Sequence, residues 1–379
     1  MTTHLDALHE QWLHRYRDQI GRSRGEVTTP ALLLDLDAVR RNSATMAAAF
    51  RELPADLRPH IKVHKSVELA RMEVAAGAVG VACATVWEAE VMAEGGIADV
   101  LIANEVVQPD KVRALVELAA SHSVTVAVDD RRNIAQLERE AANVDANLEV
   151  LIEIDVGMGR CGVRTKEEAV PLAEAIEHSP HLTLRGLQGY EGHCMLEPDR
   201  DVRAREARAA NEKLIEAADY LAARGHPCAV LSGGGTGTYF ITGANPRIDE
   251  VQAGSYLLMD CFHGGLVPGG FEFALTVLGT VVSEQGGTVV LDAGRKSIGI
   301  DFVTPPLATV PGGQVRYYAE EHCLIDFPSA PPLHLGDTTE VLAGYGPTTV
   351  NLHDVFHVLE GDVVTDIWPV NPRGPGRPG

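Results

Sequence analysis

The stretch Arg58-Pro59-His60-Ile61-Lys62-Val63-His64-Lys65-Ser66 lies where a strand-like run ends and a helical pattern begins. It carries two lysines and two histidines, and Ser66 is a favourable N-cap residue. Basic groups crowded at one strand end are costly without an anionic partner, and like charges and burial both lower the pKa of a lysine. A neutral lysine is a nucleophile that can form a Schiff base with an aldehyde. A lone stretch of this kind is more often a solvated basic loop, so the rest of the chain must decide.

The pattern around this stretch repeats along the chain. Short runs rich in Val, Ile and Leu are typical of strands buried on both faces. Eight such strands that alternate with helices predict an α/β fold, a (β/α)8 TIM barrel, with a doubly wound open sheet as the alternative. The predicted strands are 57–63, 79–84, 98–103, 123–128, 148–154, 182–188, 228–232 and 248–252. The predicted helices are 36–53, 66–76, 86–94, 110–120, 131–142, 166–178 and 202–224.

After residue 270 the pattern changes to strands joined by short Gly, Pro and Asp turns, which predicts an antiparallel β domain. Its predicted strands are 273–282, 287–291, 315–319, 338–342, 355–359 and 362–368. A further short strand is predicted at 29–35. We therefore expect an N-terminal helical extension (1–27, with a helix over 9–20), a barrel (28–268), a β domain (269–368) and a disordered tail (369–379).

The composition restricts the class of partner. A net charge of −21 over 379 residues argues against nucleic acid, which needs a basic surface. No apolar run is long enough to span a membrane, and the polar N-terminus is not a signal peptide. The six cysteines occur singly, without metal-binding or disulfide spacing. These features predict a cytoplasmic protein.

In a barrel, functional groups collect at the C-terminal strand ends. Strand five runs into Asp155-Val-Gly-Met-Gly-Arg160-Cys-Gly, where glycines allow close backbone approach and Arg160 is a fixed cation. Strand seven ends in the glycine loop 232–238, which has the small residues and hydroxyls that a phosphate needs. A lysine, an arginine and a phosphate cradle in one barrel suit pyridoxal 5′-phosphate (PLP). The combination is more specific than any of its members.

Eleven motifs together resemble the D-threonine aldolase / D-serine dehydratase-like family, fold type III PLP enzymes related to alanine racemase. The resemblance covers residues 28–368. It implies a PLP-binding barrel followed by a β domain, an alanine racemase-like homodimer and an amino-acid substrate. The motifs begin at Thr29, Arg58, Gly80, Glu88, Asn104, Asp155, Gly189, Ser232, Glu250, Asp292 and Thr349.

The resemblance also implies roles for individual residues. Lys62 would form the Schiff base with the cofactor, His193 would take the proton of the substrate's β-hydroxyl group, and Tyr190 would line the cofactor pocket with a part in catalysis. Arg160 would face the pyridine nitrogen, which then stays unprotonated and makes the ring a weaker electron sink. The remaining cofactor-binding residues would be His60, Ser232, Gly234, Gly235, Thr236, Gly237, Thr238, Gly254, Ser255 and Tyr256.

The chain departs from the family at one place. Members usually bind a divalent metal through a His-x-Asp or His-x-Cys pair before Pro-Thr-Val-Asn. Here the corresponding positions hold Tyr345 and Pro347, or Gly344 and Gly346 if the register shifts by one. We therefore expect no metal at this position.

The leading hypothesis is aldolase chemistry on a β-hydroxy-D-amino acid, because retro-aldol cleavage needs only removal of the hydroxyl proton. Loss of hydroxide needs a Lewis acid more, which weakens a D-serine dehydratase-like β-elimination. A racemase or epimerase with one base on either side of Cα is the second hypothesis. A non-catalytic PLP carrier is the third, and a barrel of unrelated chemistry is the remaining alternative.

Overall fold

The computed structural model describes residues 14–374 of the chain. Within them the chain forms two compact units. The barrel unit contains Ser43–Lys62 and Val67–Gly254, and the β unit contains the residues up to Asn42 together with Val63–Ser66 and Ser255–Gly374. The predicted helix at 9–20 begins outside the described residues, and the predicted disordered tail lies partly outside them. No helix within residues 14–374 has the length and apolar character needed to cross a bilayer.

The barrel unit contains eight strands in the order β2-β9-β8-β7-β6-β5-β4-β3, and all neighbouring pairs are parallel. A parallel bridge between His60 and Ala82 joins the chain after β2 to β3 at the opposite edge. The predicted alternation is therefore confirmed. The strands are β2 (Asp56–Leu57), β3 (Val81–Cys83), β4 (Asp99–Glu105), β5 (Ser123–Val128), β6 (Leu148–Glu153), β7 (Leu182–Gly189), β8 (Val230–Gly233) and β9 (Glu250–Val251).

Seven helices follow the predicted ranges to within a few residues, and the short helix α8 (Tyr239–Thr242) was not predicted. Their starts obey capping rules: the Thr85 side chain accepts a hydrogen bond from Glu88 N, and Asp130 accepts one from Arg132 N. The helices are α1 (Leu36–Glu52), α2 (Val67–Ala75), α3 (Val86–Glu94), α4 (Pro109–Ala119), α5 (Arg131–Val144), α6 (Lys166–Glu177), α7 (Arg200–Ala222) and α8 (Tyr239–Thr242). α1 straddles the boundary between the two units, because Asn42 belongs to the β unit and Ser43 to the barrel unit.

The β unit contains a second sheet of eight strands, mostly antiparallel. β1 (Ala31–Asp35) belongs to this sheet, where it pairs antiparallel with β10 (Leu275–Gln285) and parallel with β15 (Val355–Glu360). The predicted barrel boundary at residue 28 therefore starts too early, since pairing over such a chain separation leaves no local signal. The remaining strands are β10 (Leu275–Gln285), β11 (Thr288–Leu291), β12 (Gln314–Tyr318), β13 (Cys323–Asp326), β14 (Thr338–Leu342), β15 (Val355–Glu360) and β16 (Val363–Pro369).

Two further predictions need correction. Strand β13 and the short helix α10 (Gly346–Asn351) were not predicted in the β domain, and α9 (Cys261–Leu266) precedes that domain. The predicted strand 57–63 ends at Leu57, and Lys62 lies on a 3₁₀ helix, Ile61–Val63. A proline at 59 cannot donate to a strand ladder, which limits β2 to its first residues.

The basic stretch 58–66 is compensated inside the protein. Arg58 is 1 % exposed and donates to both carboxylate oxygens of Glu250, at 2.6 and 2.8 Å, and to Asp99 at 2.8 Å. These carboxylates hold the pKa of Arg58 above its usual value despite burial. Within the β unit, Lys65 Nζ donates to the carbonyl of Pro372. Arg58 and Lys65 are therefore both engaged by other groups of the protein.

Candidate active site

Lys62 has the protonation chemistry of a nucleophilic amine. Burial, aided by repulsion from the Arg160 guanidinium, lowers its pKa from 10.5 to about 8, and the Glu88 carboxylate opposes this shift. Glu88 is buried and accepts a hydrogen bond from Ala84 N at 2.6 Å, which fixes it at the start of α3. A lysine with this pKa is substantially neutral near pH 8, so it can attack a carbonyl carbon without a separate base.

Tyr190 lies close to two cations. Lys62 Nζ and Arg160 Cζ each lie 5.7 Å from the centroid of its ring. Tyr190 follows β7, and Arg160 lies on the loop after β6, so the ends of neighbouring parallel strands bring them together. A Cβ added at Gly235 would lie 3.4 Å from the Tyr190 ring, which places the glycine loop against the same side chain. The structure therefore brings Lys62, Arg160 and Gly235 close to Tyr190, and their roles toward a cofactor stay predictions.

His193 lies on the 3₁₀ helix Gly192–Leu196 that follows β7. Its ring packs directly on the backbone of Gly157, where an added Cβ would lie 2.9 Å from His193 Cε1 and 3.1 Å from Nε2. Its Nδ1 is buried and has no hydrogen-bond partner within residues 14–374. The two ring nitrogens thus differ: Nε2 lies against the loop that carries Arg160, and Nδ1 is enclosed.

The glycine loop is held by a buried carboxylate that the sequence did not single out. Glu191 accepts hydrogen bonds from Gly234 N at 2.9 Å and from the hydroxyl groups of Thr238 at 2.9 Å and Thr242 at 2.6 Å. Glu191 is completely buried. Two of the donors predicted to bind phosphate, on Gly234 and Thr238, are therefore used within the protein. A loop fixed in this way is pre-organised for a ligand.

A chain of polar side chains crosses the barrel beside this loop. The Gln188 amide donates to Glu153 and accepts from Gln252 Nε2 at 2.9 Å. Gln252 Nε2 also donates to the Ser232 hydroxyl oxygen at 3.0 Å. Burial, with the nearby Glu105 and Asp129, raises the pKa of Glu153 to about 8, although the Gln188 hydrogen bond and Arg160 lower it. Glu153, Gln188 and Gln252 were not singled out from the sequence. Their position as polar side chains at the ends of apolar strands could have indicated them.

The other predicted cofactor residues are placed as follows. His60 forms the bridge to Ala82 in the barrel wall, and Gly237 accepts a hydrogen bond from the buried Arg203 through its carbonyl. Thr236 is buried in the glycine loop, and Gly254 ends the barrel unit. Ser255 and Tyr256 belong to the β unit, where the Tyr256 ring packs on Phe271. Their roles toward a cofactor stay predictions.

Tyr345, at the expected metal-ligand position, lies in an aromatic cluster of the β unit. Its ring stacks on His263 at 5.8 Å and meets Phe302 edge-on at 4.9 Å. Burial, Asp260 and Asp301 raise the pKa of Tyr345 to about 12. A neutral phenol next to Pro347, which has no ligand atom, does not fit the donor set that a hard divalent cation prefers.

Comparison with known proteins matches this geometry to one family. Residues 34–261 match the alanine racemase N-terminal domain, and residues 274–359 match a serine dehydratase domain. The chain is 36 % identical to the 3-hydroxy-D-aspartate aldolase of Paracoccus denitrificans (strain Pd 1222), over 94 % of this chain and 95 % of that protein. It is also 36 % identical to the D-threonine aldolase of an Arthrobacter species, over 95 % and 96 %. The chain belongs to the D-threonine and 3-hydroxy-D-aspartate aldolase family.

A solved structure agrees with this assignment. The D-threonine aldolase from Filomicrobium marinum is 38 % identical, has a TM-score of 0.90 and covers 94 % of this chain and 98 % of its own. The predicted alanine racemase-like fold and the predicted lyase family are confirmed. The family implies PLP as cofactor, and the residues present fit it: a buried lysine of lowered pKa, a loop fixed by Glu191 and a cation beside Tyr190.

Proposed function

We propose that this protein is a PLP-dependent aldolase that cleaves β-hydroxy-D-amino acids, such as D-threonine or 3-hydroxy-D-aspartate, to glycine and an aldehyde. The observation that carries the proposal is Lys62, buried and with its pKa lowered to about 8, beside Tyr190 in a chain of this family. Glycine loop residues 232–238 would hold the phosphate group. When bound, PLP supplies a carbonyl carbon for amines and an electron sink for the pair released at Cα.

Lys62 presents a neutral amine because burial and Arg160 disfavour its charged form. Arg160 keeps its proton, so it offers a fixed positive charge and cannot serve as an acid. Tyr190 lies 5.7 Å from both cations and would support the flat face of a ring through its own ring. These three side chains therefore bind and orient, and they leave the proton transfer to another group.

His193 is the group placed to move the proton. Retro-aldol cleavage removes the proton of the substrate's β-hydroxyl group while the Cα–Cβ bond breaks, and a base near neutral pKa does this best. Nε2 of His193 packs on Gly157 in the loop that carries Arg160, so this nitrogen is the acceptor in our proposal. The proton then passes from Nε2 to solvent or back to the product.

We also propose that the reaction proceeds without a divalent metal. The proposal is supported by the donor set at the family's metal position, a neutral Tyr345 and a proline. Removal of a hydroxyl proton by His193 needs no Lewis acid, whereas expulsion of hydroxide benefits strongly from one. The homodimer and the cytoplasmic location predicted from the sequence stay predictions, and sedimentation of the holoenzyme would test the dimer.

The experiment is one preparation assayed in two ways. A yellow protein that releases aldehyde from D-threonine and D-phenylserine equally well with EDTA and with added Mn²⁺ is the expected result. The variant Lys62→Ala should lose the visible absorbance of bound PLP and all turnover. Lys65→Arg is the matched control, because Lys65 is a buried lysine three residues away that bonds to a backbone carbonyl, and it should keep both.

The contrary outcomes are distinct. A yellow protein that racemises D-amino acids without releasing aldehyde would replace the aldolase proposal by the racemase hypothesis. Activity that disappears with EDTA and returns with Mn²⁺ would refute metal independence and leave the aldolase assignment standing.

A further inference from the structure

A group of three possible metal ligands surrounds the enclosed side of His193. His193 Nδ1, Cys194 Sγ and a carboxylate oxygen of Glu206 all lie within 4.8 Å of one another. His193 and Cys194 are adjacent on one 3₁₀ helix, and Glu206 lies on α7. Nδ1 is buried with no hydrogen-bond partner within residues 14–374, which leaves its lone pair or its proton unsatisfied. An unsatisfied buried nitrogen costs free energy that a ligand at this point would recover.

The charges around the group favour a cation. Cys194 is completely buried, and the negative charges of Glu191 and Glu206 act on its thiol. Arg203 is the opposing cation, but its guanidinium is directed to the carbonyl oxygens of Glu197 and Gly237. A divalent cation would reverse the effect of the two carboxylates on the thiol and allow its proton to leave.

The donor set selects the kind of cation. One imidazole nitrogen, one sulfur and one carboxylate oxygen are the ligands of Zn²⁺ and of softer thiophilic ions, and not those of Mg²⁺ or Mn²⁺. Metal–ligand distances of about 2.0–2.3 Å at a tetrahedral angle separate the donors by about 3.3–3.8 Å. Donors up to 4.8 Å apart therefore need to approach by up to about 1.5 Å, and the half-buried Glu206 side chain can supply part of that movement.

We propose that His193, Cys194 and Glu206 form a binding site for a thiophilic divalent cation, Zn²⁺ or Cd²⁺, that withdraws His193 from proton transfer. On binding, the Cys194 thiol releases its proton to solvent, the metal bonds to Sγ, Nδ1 and a carboxylate oxygen, and water takes the fourth position. With Nδ1 bound to the metal, the proton that Nδ1 carries in the base form moves through solvent to Nε2, which can then no longer accept one. This inhibitory effect rests on the proposed role of His193 as the base, whereas the binding itself does not.

The experiment titrates the holoenzyme with Cd²⁺ and Zn²⁺ while two signals are recorded. The ultraviolet charge-transfer absorbance should rise with added Cd²⁺ and level off at the intensity of one cadmium–thiolate bond per chain. Aldehyde release should fall in parallel and recover with EDTA. Mn²⁺ should change neither signal. Because the absorbance does not need turnover, failure of the aldolase assignment and failure of the metal site are distinguishable.

Two variants and a matched control decide the location. Without added metal, Cys194→Ala should keep its basal turnover. With Cd²⁺ it should lack the charge-transfer absorbance. At a Cd²⁺ concentration that inhibits the unmodified enzyme 10-fold, it should be inhibited less than 2-fold. Glu206→Gln should need about 10-fold more metal for the same inhibition. Glu206 is half-buried on α7, so this variant should still fold. Cys161→Ala is the control, because Cys161 forms a similar group with Glu105 and Asp129 but without a histidine. Loss of the absorbance in Cys161→Ala, or undiminished inhibition of Cys194→Ala, would overturn the proposal.

Discussion

The lowered pKa of Lys62 can be measured in the protein without its cofactor. Competitive acetylation over pH 6–11, read by mass spectrometry of each lysine peptide, gives a titration midpoint for every amine. The expected midpoint is about 8 for Lys62, whereas Lys296, whose pKa is raised by its hydrogen bond to Glu321, should titrate above 10.5. At pH 7.5 about a quarter of Lys62 would then be neutral, against about one part in a thousand for an ordinary lysine.

The part of the Lys62 pKa shift that is due to Arg160 can be calculated from the distances in the site. Because Lys62 and Arg160 each lie 5.7 Å from the Tyr190 centroid, their charges are no more than about 11 Å apart. At that separation two unit charges interact by about 0.4–1.5 kcal/mol for dielectric constants between 80 and 20, or about 0.3–1 pKa unit. Arg160→Gln should therefore raise the Lys62 midpoint by at least about 0.3 unit. Burial is the larger cause, so the midpoint should stay below 10.5.

A matched substitution controls for net charge. Arg164→Gln removes one positive charge from the same loop and should leave the Lys62 midpoint in place, because Arg164 is not among the groups that shift it. The midpoint is the measure, since burial slows acetylation of Lys62 at every pH. A Lys62 midpoint near 10.5 in the unmodified protein, or equal shifts in the two arginine variants, would refute the reasoning.

Three further predictions concern stability, the base and the glycine loop. The pKa of Glu153 is raised from 4.5 to about 8, so the free energy of unfolding should fall by up to about 5 kcal/mol as pH rises from 4.5 to 8. Urea unfolding at pH 5 and pH 8 should show this loss, and Glu153→Gln should abolish it. Gly157→Ala should lower kcat by about 10-fold or more because its Cβ would displace His193, whereas Gly159→Ala, at a φ of 67° and with open space around it, should lower stability alone. Glu191→Gln replaces one acceptor oxygen by a donor and should weaken PLP retention on dialysis, with a loss of about 2–4 kcal/mol in stability.

Much of this molecule is predictable because its signals are local. Eight apolar runs and their helices gave the barrel, and the motif residues Lys62, Arg160 and Tyr190 come together because parallel strands end at one edge. The pairing of β1 with β10 and β15 was not predictable, because the sequence of a buried run of leucines does not indicate which strands it will pair with.

The sequence also does not predict the role of a residue when that role depends on which groups lie next to it in the fold. Glu191 lies in the motif that begins at Gly189, and only its contacts with Gly234 and Thr238 show that it fixes the glycine loop. The glycine loop itself looked like a set of free donors. Hydrogen-bond partners decide which of those donors remain for a ligand, and partners are a property of the fold.

The proposed absence of a metal at Tyr345 bears on the choice of reaction. Asp260 accepts hydrogen bonds from Gly346 N and from His263, whose ring stacks on Tyr345, so packing and hydrogen bonds organise this position. A phenol whose pKa is raised to about 12 offers a hydroxyl group and no negative charge. Chemistry that depends on a Lewis acid at the substrate's β-oxygen would lose most from such a change. Cleavage of the Cα–Cβ bond loses least, because a histidine alone can accept the proton, and we infer that His193 carries that step unaided.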